Sequence, residues 1–329
     1  MADLFSLPAA EEAQGRRRQM LRTAFGPTIA AALADRTVIE VMVNPDGKLW
    51  VERASVGRQF TGERIASAEA ERIIRLVAAH VRREVHDKAP IVSAELPETG
   101  ERFEGVMPPV APAPCFAVRK PADVLYRLSD YVSARIMSAP QAAALARAVA
   151  ERRNILVVGG TSSGKTTLVN ALLAEIADLD ERVVILEDTR ELKSAAADCV
   201  ALRTKPGVAT LADLVRSTLR LRPDRVIVGE VRGPEALDML KAWNTGHPGG
   251  ITTVHANSAE AGLYRLEQLV QEAVVTVPRD LIVEAIDIVG FLEGRGPSRR
   301  LDTLLELTGL DEDGEYVTKP LARPSLHTV

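Results

Sequence analysis

The chain of 329 residues carries 41 basic and 45 acidic side chains, a net charge of −4, and 46% hydrophobic residues, which excludes disordered and fibrous classes and leaves room for two packed domains. Charge is evenly spread, 17 basic against 16 acidic residues over positions 1–120, so direct DNA or RNA binding, which needs a concentrated basic surface, is not expected. The only cysteines, Cys115 and Cys199, are too far apart for a paired-cysteine zinc site, and no run of about 18 apolar residues marks a membrane span, so a cytoplasmic protein with two buried thiols is expected.

Residues 1–24 read as a flexible or helical segment. Its Arg16-Arg17-Arg18 cluster beside Met20, Leu21 and Phe25 suits either a solvated terminus or a short amphipathic helix in peripheral contact with anionic lipid. Thr37–Val43 and Lys48–Glu52 flank Asn44-Pro45-Asp46-Gly47, which predicts a hairpin. Ser67–Val85 has helical spacing at Ile73, Ile74, Val77 and Val81, with Ser67 as its N-cap. The proline-rich stretch 107–114 cannot supply the hydrogen bonds of a central strand, so Cys115–Val118 is expected at a sheet edge. These elements define an α+β amino-terminal domain over 25–120 and a linker over 121–132.

From 133 to 329 strands and helices alternate: Ile155–Val158, a helix from Lys165, Val183–Leu186, Leu211–Leu221, Val226–Val228, Pro234–Trp243 and Thr252–Val254. The spacing predicts an α/β domain, a mostly parallel sheet flanked by helices. Ile286–Leu292 and Arg300–Leu307 look like added strands joined across Gly294–Pro297.

Between the first strand and its helix lies Gly159-Gly160-Thr161-Ser162-Ser163-Gly164-Lys165-Thr166-Thr167, the spacing of a P-loop. Gly159 and Gly164 let the backbone turn its N–H groups onto phosphate oxygens, and Lys165 adds a point charge for the β and γ phosphates. Thr166 offers a hydroxyl to Mg²⁺, and the helix adds its positive end. ATP and Mg²⁺ are the ligands expected.

Glu187 closes one strand and Glu230 follows another, at the carboxyl edge where open α/β sheets bind ligands. Either acid suits holding Mg²⁺ through water or orienting the attacking water. Gly229 stands where a P-loop protein usually has its metal-binding aspartate, which leaves Thr166 as the direct metal ligand and moves the acidic work onto Glu230. In Thr245–Asn257 a glycine-rich turn leads to Thr252, Thr253 and His255, polar groups suited to sensing a γ-phosphate; His255 outranks His247 by context.

Four segments together, Gly159–Thr167, Ile185–Arg190, Val226–Arg232 and Gly246–Ala256, resemble in order and spacing the secretion (traffic) ATPases of type IV and type II secretion. The resemblance implies a RecA-like P-loop fold. The chain length, Arg119-Lys120-Pro121 and Cys115–Arg119 look most like the TrbB-type conjugative transfer ATPases of the type IV branch. By that resemblance the chain is an ATP hydrolase and cytoplasmic motor, forms a homo-oligomer of six, and works with inner-membrane secretion-channel components and other transfer ATPases. It also implies that amino-terminal arginines reach the γ-phosphate; Arg102 and Arg119 match best, with Arg190 and Arg203 as further candidates. Alternatives are a pilus-retraction or type II secretion ATPase, a nucleotide-dependent assembly scaffold, and a DNA-translocating motor.

Overall fold

The computed structural model describes residues 6–53, 56–96, 100–121, 125–205 and 207–322, and the side chains of these except 6–18 and 22. The Arg16-Arg17-Arg18 cluster lies outside the described side chains. The chain divides into two compact units, residues 1–123 and 124–329.

The first unit begins with α1 (Ser6–Ala34), whose helical path breaks at Gly26 before Pro27, followed by β1 (Val38–Val43), β2 (Lys48–Arg53) and β3 (Gly57–Arg64). Then come α2 (Ser67–His80), β4 (Ile91–Glu95), β5 (Arg102–Val106) and β6 (Cys115–Arg119). The strands form one six-stranded sheet in the order β3-β2-β1-β6-β5-β4, antiparallel wherever neighbours pair. Alternate residues such as Val41, Val43, Leu49, Val51, Phe103 and Val118 point into one core shared with Leu21, Phe25 and Ile29 of α1 and Ile73, Ile74 and Val77 of α2. At roughly 1.5–3 kcal/mol for each buried large side chain, this apolar face is what holds the helices to the sheet. Leu21 and Phe25 are therefore committed to a protein core, while Met20 stays exposed.

Two expectations need correction here. Cys115–Arg119 is a central strand between β1 and β5, because the proline-rich stretch ends before it and two unforeseen strands, β4 and β5, cover its other side. The cap of α2 is Ala66 in place of Ser67, since the Glu69 carboxylate reaches back to accept from the Ala66 N–H at 3.2 Å. The hairpin stands where expected, with the Gly47 N–H donating to the Asn44 carbonyl across the turn. Both thiols are half-buried.

The second unit runs α3 (Leu128–Ser133), α4 (Ala139–Ala150), β7 (Ile155–Gly159), α5 (Lys165–Ile176), β8 (Val183–Glu187), β9 (Cys199–Arg203), α6 (Leu211–Thr218) and β10 (Arg225–Val228). It continues with α7 (Glu235–Asn244), β11 (Ile251–Val254), α8 (Ala259–Gln271), α9 (Arg279–Ala285), β12 (Ile288–Glu293), β13 (Arg300–Leu310) and β14 (Tyr316–Pro320). The eight strands lie in the order β14-β13-β12-β7-β11-β10-β8-β9, parallel from β12 to β9 and antiparallel through β13 and β14. β7, β8, β10 and β11 are buried at every position because helices cover both faces, which is why β7, β8 and β10 read as largely apolar runs, while β11 buries the polar pair Thr252 and Thr253. Leu156 and Val158 face the core with α6 to α9, while Ile155 and Val157 face the one with α3, α4 and α5. Among the described residues no helix is long and apolar enough to cross a membrane.

Candidate active site

The sheet order decides which side chains meet. β7, β11, β10 and β8 are successive neighbours, so the groups that follow them line up along the carboxyl edge: the P-loop, His255, Glu230 and Glu187. The turn into α5 places Gly164 at the helix N-cap with φ +94°, a left-handed conformation that disfavours a side chain. Lys165 follows as the first helical residue and is only 7% exposed.

The Lys165 ammonium donates to the carbonyls of Gly159 at 2.8 Å and Gly160 at 3.1 Å, and lies 3.2 Å from His255 Nδ1. Burial, then the positive charge of Lys165, push His255 below its ordinary pKa against the opposing pull of Glu230. A neutral ring lets Nδ1 accept from Lys165 and puts the proton on Nε2, 2.8 Å from Glu230 Oε1. That approach lacks hydrogen-bond alignment, and Glu230 Oε1 is buried without a hydrogen-bond partner. The other oxygen, Oε2, accepts from Arg232 Nε at 2.9 Å. Arg232 and Asp188 also line a cavity of about 370 Å³.

Thr166 stands apart from that row, its hydroxyl donating to Glu191 Oε2 at 3.1 Å. Mg²⁺ keeps several waters and needs one or two protein oxygens. A hydroxyl whose lone pairs face away from its donated proton, with a carboxylate beside it, fits that demand. Ser163 Oγ, buried and without a partner, and the N–H groups at the start of α5 fit a polyphosphate.

Glu187 has one of its two carboxylate oxygens engaged by the backbone. Its Oε1 accepts from the backbone N–H groups of Glu191 at 2.9 Å and Leu192 at 2.8 Å, which fixes the loop that presents Glu191 to Thr166. Burial pushes its carboxyl up to about 7, against the two backbone hydrogen bonds. Arg203 pairs in register with Glu187 on the adjoining strand. Thr253 is tied to the Gly229 carbonyl at 3.0 Å and Thr252 is fully buried, so of the polar run on and after β11 it is His255 that reaches Lys165 and Glu230. His247 lies before β11, beside the Ala242 carbonyl and away from the row.

Arg102 and Arg119 belong to the other unit, where they are cross-strand partners on β5 and β6. Both flank Glu40, whose carboxyl burial raises and whose charge the two guanidiniums favour. Glu191, Arg232 and Arg299 were absent from the sequence-derived set. Glu191 directly follows the segment Ile185–Arg190 and Arg232 closes the segment Val226–Arg232, so the excess of charge at those strand ends was the available signal. Arg299, which packs on the P-loop, gave none.

A family model described as type II/IV secretion system protein matches residues 25–290. The conjugal transfer protein TrbB of Rhizobium radiobacter is 46% identical over 305 residues, covering 92% of this chain and 94% of that one. The type IV secretion system protein VirB11 of Bartonella quintana is 30% identical, covering 79% and 86%. In fold, the chain is similar to the X-ray structure of the ATPase DotB of Legionella pneumophila, with a TM-score of 0.58 at 19% identity over 87% of this chain and 76% of that one.

Proposed function

Because the chain belongs to the type II/IV secretion system protein family, we propose that it hydrolyses ATP and acts as the motor of a conjugative type IV secretion system. The single observation that carries the chemistry is the row Lys165, His255, Glu230, in which a buried ammonium and a buried carboxylate oxygen that accepts no hydrogen bond stand on either side of a neutral imidazole. The RecA-like sheet supports it by delivering all three residues to one edge from adjacent strands.

In this reading the triphosphate takes over the Lys165 N–H bonds that Gly159 and Gly160 now accept, and the amides from Gly160 to Thr167 hold its oxygens. Glu230 Oε1 orients the attacking water and takes its proton as the water oxygen bonds to the γ phosphorus and the bond to the β,γ-bridging oxygen breaks. Arg232 keeps the carboxylate in place through Oε2. Thr166 directly, and Glu230 through water, would hold Mg²⁺, which when bound neutralises charge developing on the phosphates. ADP, phosphate and the proton leave, and Lys165 returns to its carbonyls.

The same reading carries a homo-oligomeric ring of six and, as partners, inner-membrane secretion-channel components and other transfer ATPases; the likeness to conjugal transfer proteins supports it. The test is multiple-turnover hydrolysis alongside calorimetric titration with Mg-ATP. Glu230→Gln is expected to bind ATP as wild type does and to lose about 10²- to 10⁴-fold in turnover. Wild-type protein that binds no ATP, or a Glu230→Gln protein that turns over normally, would overturn the proposal.

A further inference from the structure

Arg299 lies between the three-residue turn Gly296–Ser298 and β13, 134 positions after Lys165, and none of the four family segments contains it. The pairing of β12 with β7 carries that connection to the P-loop. There the guanidinium packs on Gly164 so closely that a Cβ at that position would meet Arg299 Cζ and Nε at 2.8 Å. Its Nη2 reaches towards the Ser162 carbonyl at 3.4 Å, a residue held at φ +62°. Arg299 Nε is buried and donates to nothing, and among the described residues no carboxylate forms an ion pair with Arg299. Its neighbour in sequence behaves differently: Arg300 pairs with Glu293 and Asp302.

A guanidinium is always charged at physiological pH, and a partly buried one with no counter-charge is costly. What lies against it is the loop that the function proposed above assigns to a polyanion. We propose that Arg299 is a positioning residue of the nucleotide site, which braces the Ser162–Gly164 turn from behind and finds its counter-charge in the bound nucleotide's phosphates. The inference rests on the ATP-binding reading. It makes Gly164 necessary for two reasons, its left-handed backbone and the space the guanidinium occupies. It also makes the hairpin β12–β13, at the junction of the parallel and antiparallel parts of the sheet, a structural member of the phosphate site.

Bracing and charge act on the bound phosphates as a whole, so the effect belongs to affinity more than to the chemical step. In the full-length protein, Arg299→Gln keeps the stem to Cδ and an amide donor near the position of Nε but loses the charge and the outer guanidinium nitrogens, while Arg299→Lys retains the charge without the planar fork. Mg-ATP and Mg-ADP are titrated by calorimetry at several KCl concentrations, and turnover is measured at saturating ATP. Arg299→Gln is expected to weaken both nucleotides about tenfold, a difference of about 1.4 kcal/mol. Its affinity should fall less steeply with salt than that of wild type, while kcat stays within about twofold and KM rises. Arg299→Lys should recover the salt dependence and part of the affinity. Unchanged affinity in Arg299→Gln, or weakened affinity with an unchanged salt slope, overturns the inference while wild-type binding leaves the ATPase reading standing. Absence of ATP binding by wild type would instead fail both. Equal melting temperatures of the nucleotide-free proteins check that lost folding is not the cause, and Arg299→Lys serves as the folded variant if Arg299→Gln does not meet that condition.

Discussion

The two edges of the parallel sheet are made of the same kinds of residue and end in opposite conditions. At the amino edge, fully buried Arg225 pairs with Glu181 and donates to the Val149 carbonyl at 2.8 Å, and Arg152 joins the same carboxylate at 2.8 Å. Asn154 donates to the Ala285 carbonyl at 2.8 Å and accepts from the Gly250 N–H at 2.7 Å; Trp243 Nε1 donates to the Val226 carbonyl at 2.9 Å. At the carboxyl edge, Ser163 Oγ, Glu230 Oε1 and Arg299 Nε are buried with no hydrogen-bond partner. Buried polar groups ordinarily find partners, so a cluster that does not is a place where a ligand completes the count. At the amino edge one nitrogen of an already paired guanidinium, Arg225 Nη1, is left without a partner, whereas at the carboxyl edge groups on three different residues stand open together.

If that division is right, substitutions at the two edges separate into losses of turnover and losses of stability. The largest expected effect is at the open edge. Lys165→Ala should cut hydrolysis by at least about 100-fold, which is about 2.7 kcal/mol of barrier, while the folding free energy moves by under about 1 kcal/mol. Steady-state rates and urea unfolding, measured on one preparation, decide it. A Lys165→Ala protein that unfolds several kcal/mol more readily would erase the distinction between the edges.

At the closed edge the order reverses. Glu181→Gln leaves the Arg225 guanidinium buried with its charge uncompensated, which is expected to cost about 3 kcal/mol of stability. Although burial raises the Glu181 pKa, the hydrogen bond and charge of Arg225 hold it below the usual range, so this stabilisation is present at neutral pH and is lost as acid protonates the folded carboxylate. The difference between wild type and Glu181→Gln should therefore shrink as pH falls below about 4. Gly250→Ala tests the same edge by shape, since a Cβ there would stand 2.0 Å from the Trp243 ring; about 1–3 kcal/mol should be lost. Turnover per folded molecule should hold in both variants, and a fall of more than about tenfold would show the two edges to be coupled.

How much of this was legible before folding differs between the edges and between the units. The continuous runs Ile155–Val158, Val183–Leu186 and Val226–Val228 announced buried parallel strands, and the P-loop announced the phosphate site, because both signals are local. In the amino-terminal unit, β3 is exposed along nearly its whole length and carries no alternation to read, and β4 and β5 are five residues each. Missing them is what put Cys115–Arg119 at an edge. The row Lys165, His255, Glu230 needed the order β7-β11-β10-β8, which no local pattern states. Of the glycines in the turn before β11, Gly250 is small because Trp243 fills the space beside it, a contact that no local pattern states. Arg299 needed the pairing of β12 with β7, a contact far along the chain from the motif it supports.

A smaller effect than the losses at Lys165 and Glu181 is the sharpest test, because it has the opposite sign. Glu187 sits at the open edge, 6% exposed, and burial pushes its carboxyl up to about 7. A raised folded-state pKa means that the fold prefers the protonated acid. That preference stabilises the protein fully below the unfolded value of about 4.5 and is lost as pH rises through about 7. Glu187→Gln can still accept the N–H bonds of Glu191 and Leu192 through its amide oxygen, and it carries no charge at any pH. It should match wild type in urea unfolding near pH 5 and exceed it by about 2 kcal/mol at pH 8, a figure reduced from the full shift for the water that reaches a partly buried carboxyl. A variant that gains stability while turnover drops would mark Glu187 as an acid kept at the site at a cost to the fold, as expected of an edge completed by its ligand. Superimposable stability curves from pH 5 to 8 would mean that the Glu187 carboxylate is as well solvated as one on the surface, and the loop it anchors would then owe nothing to its burial.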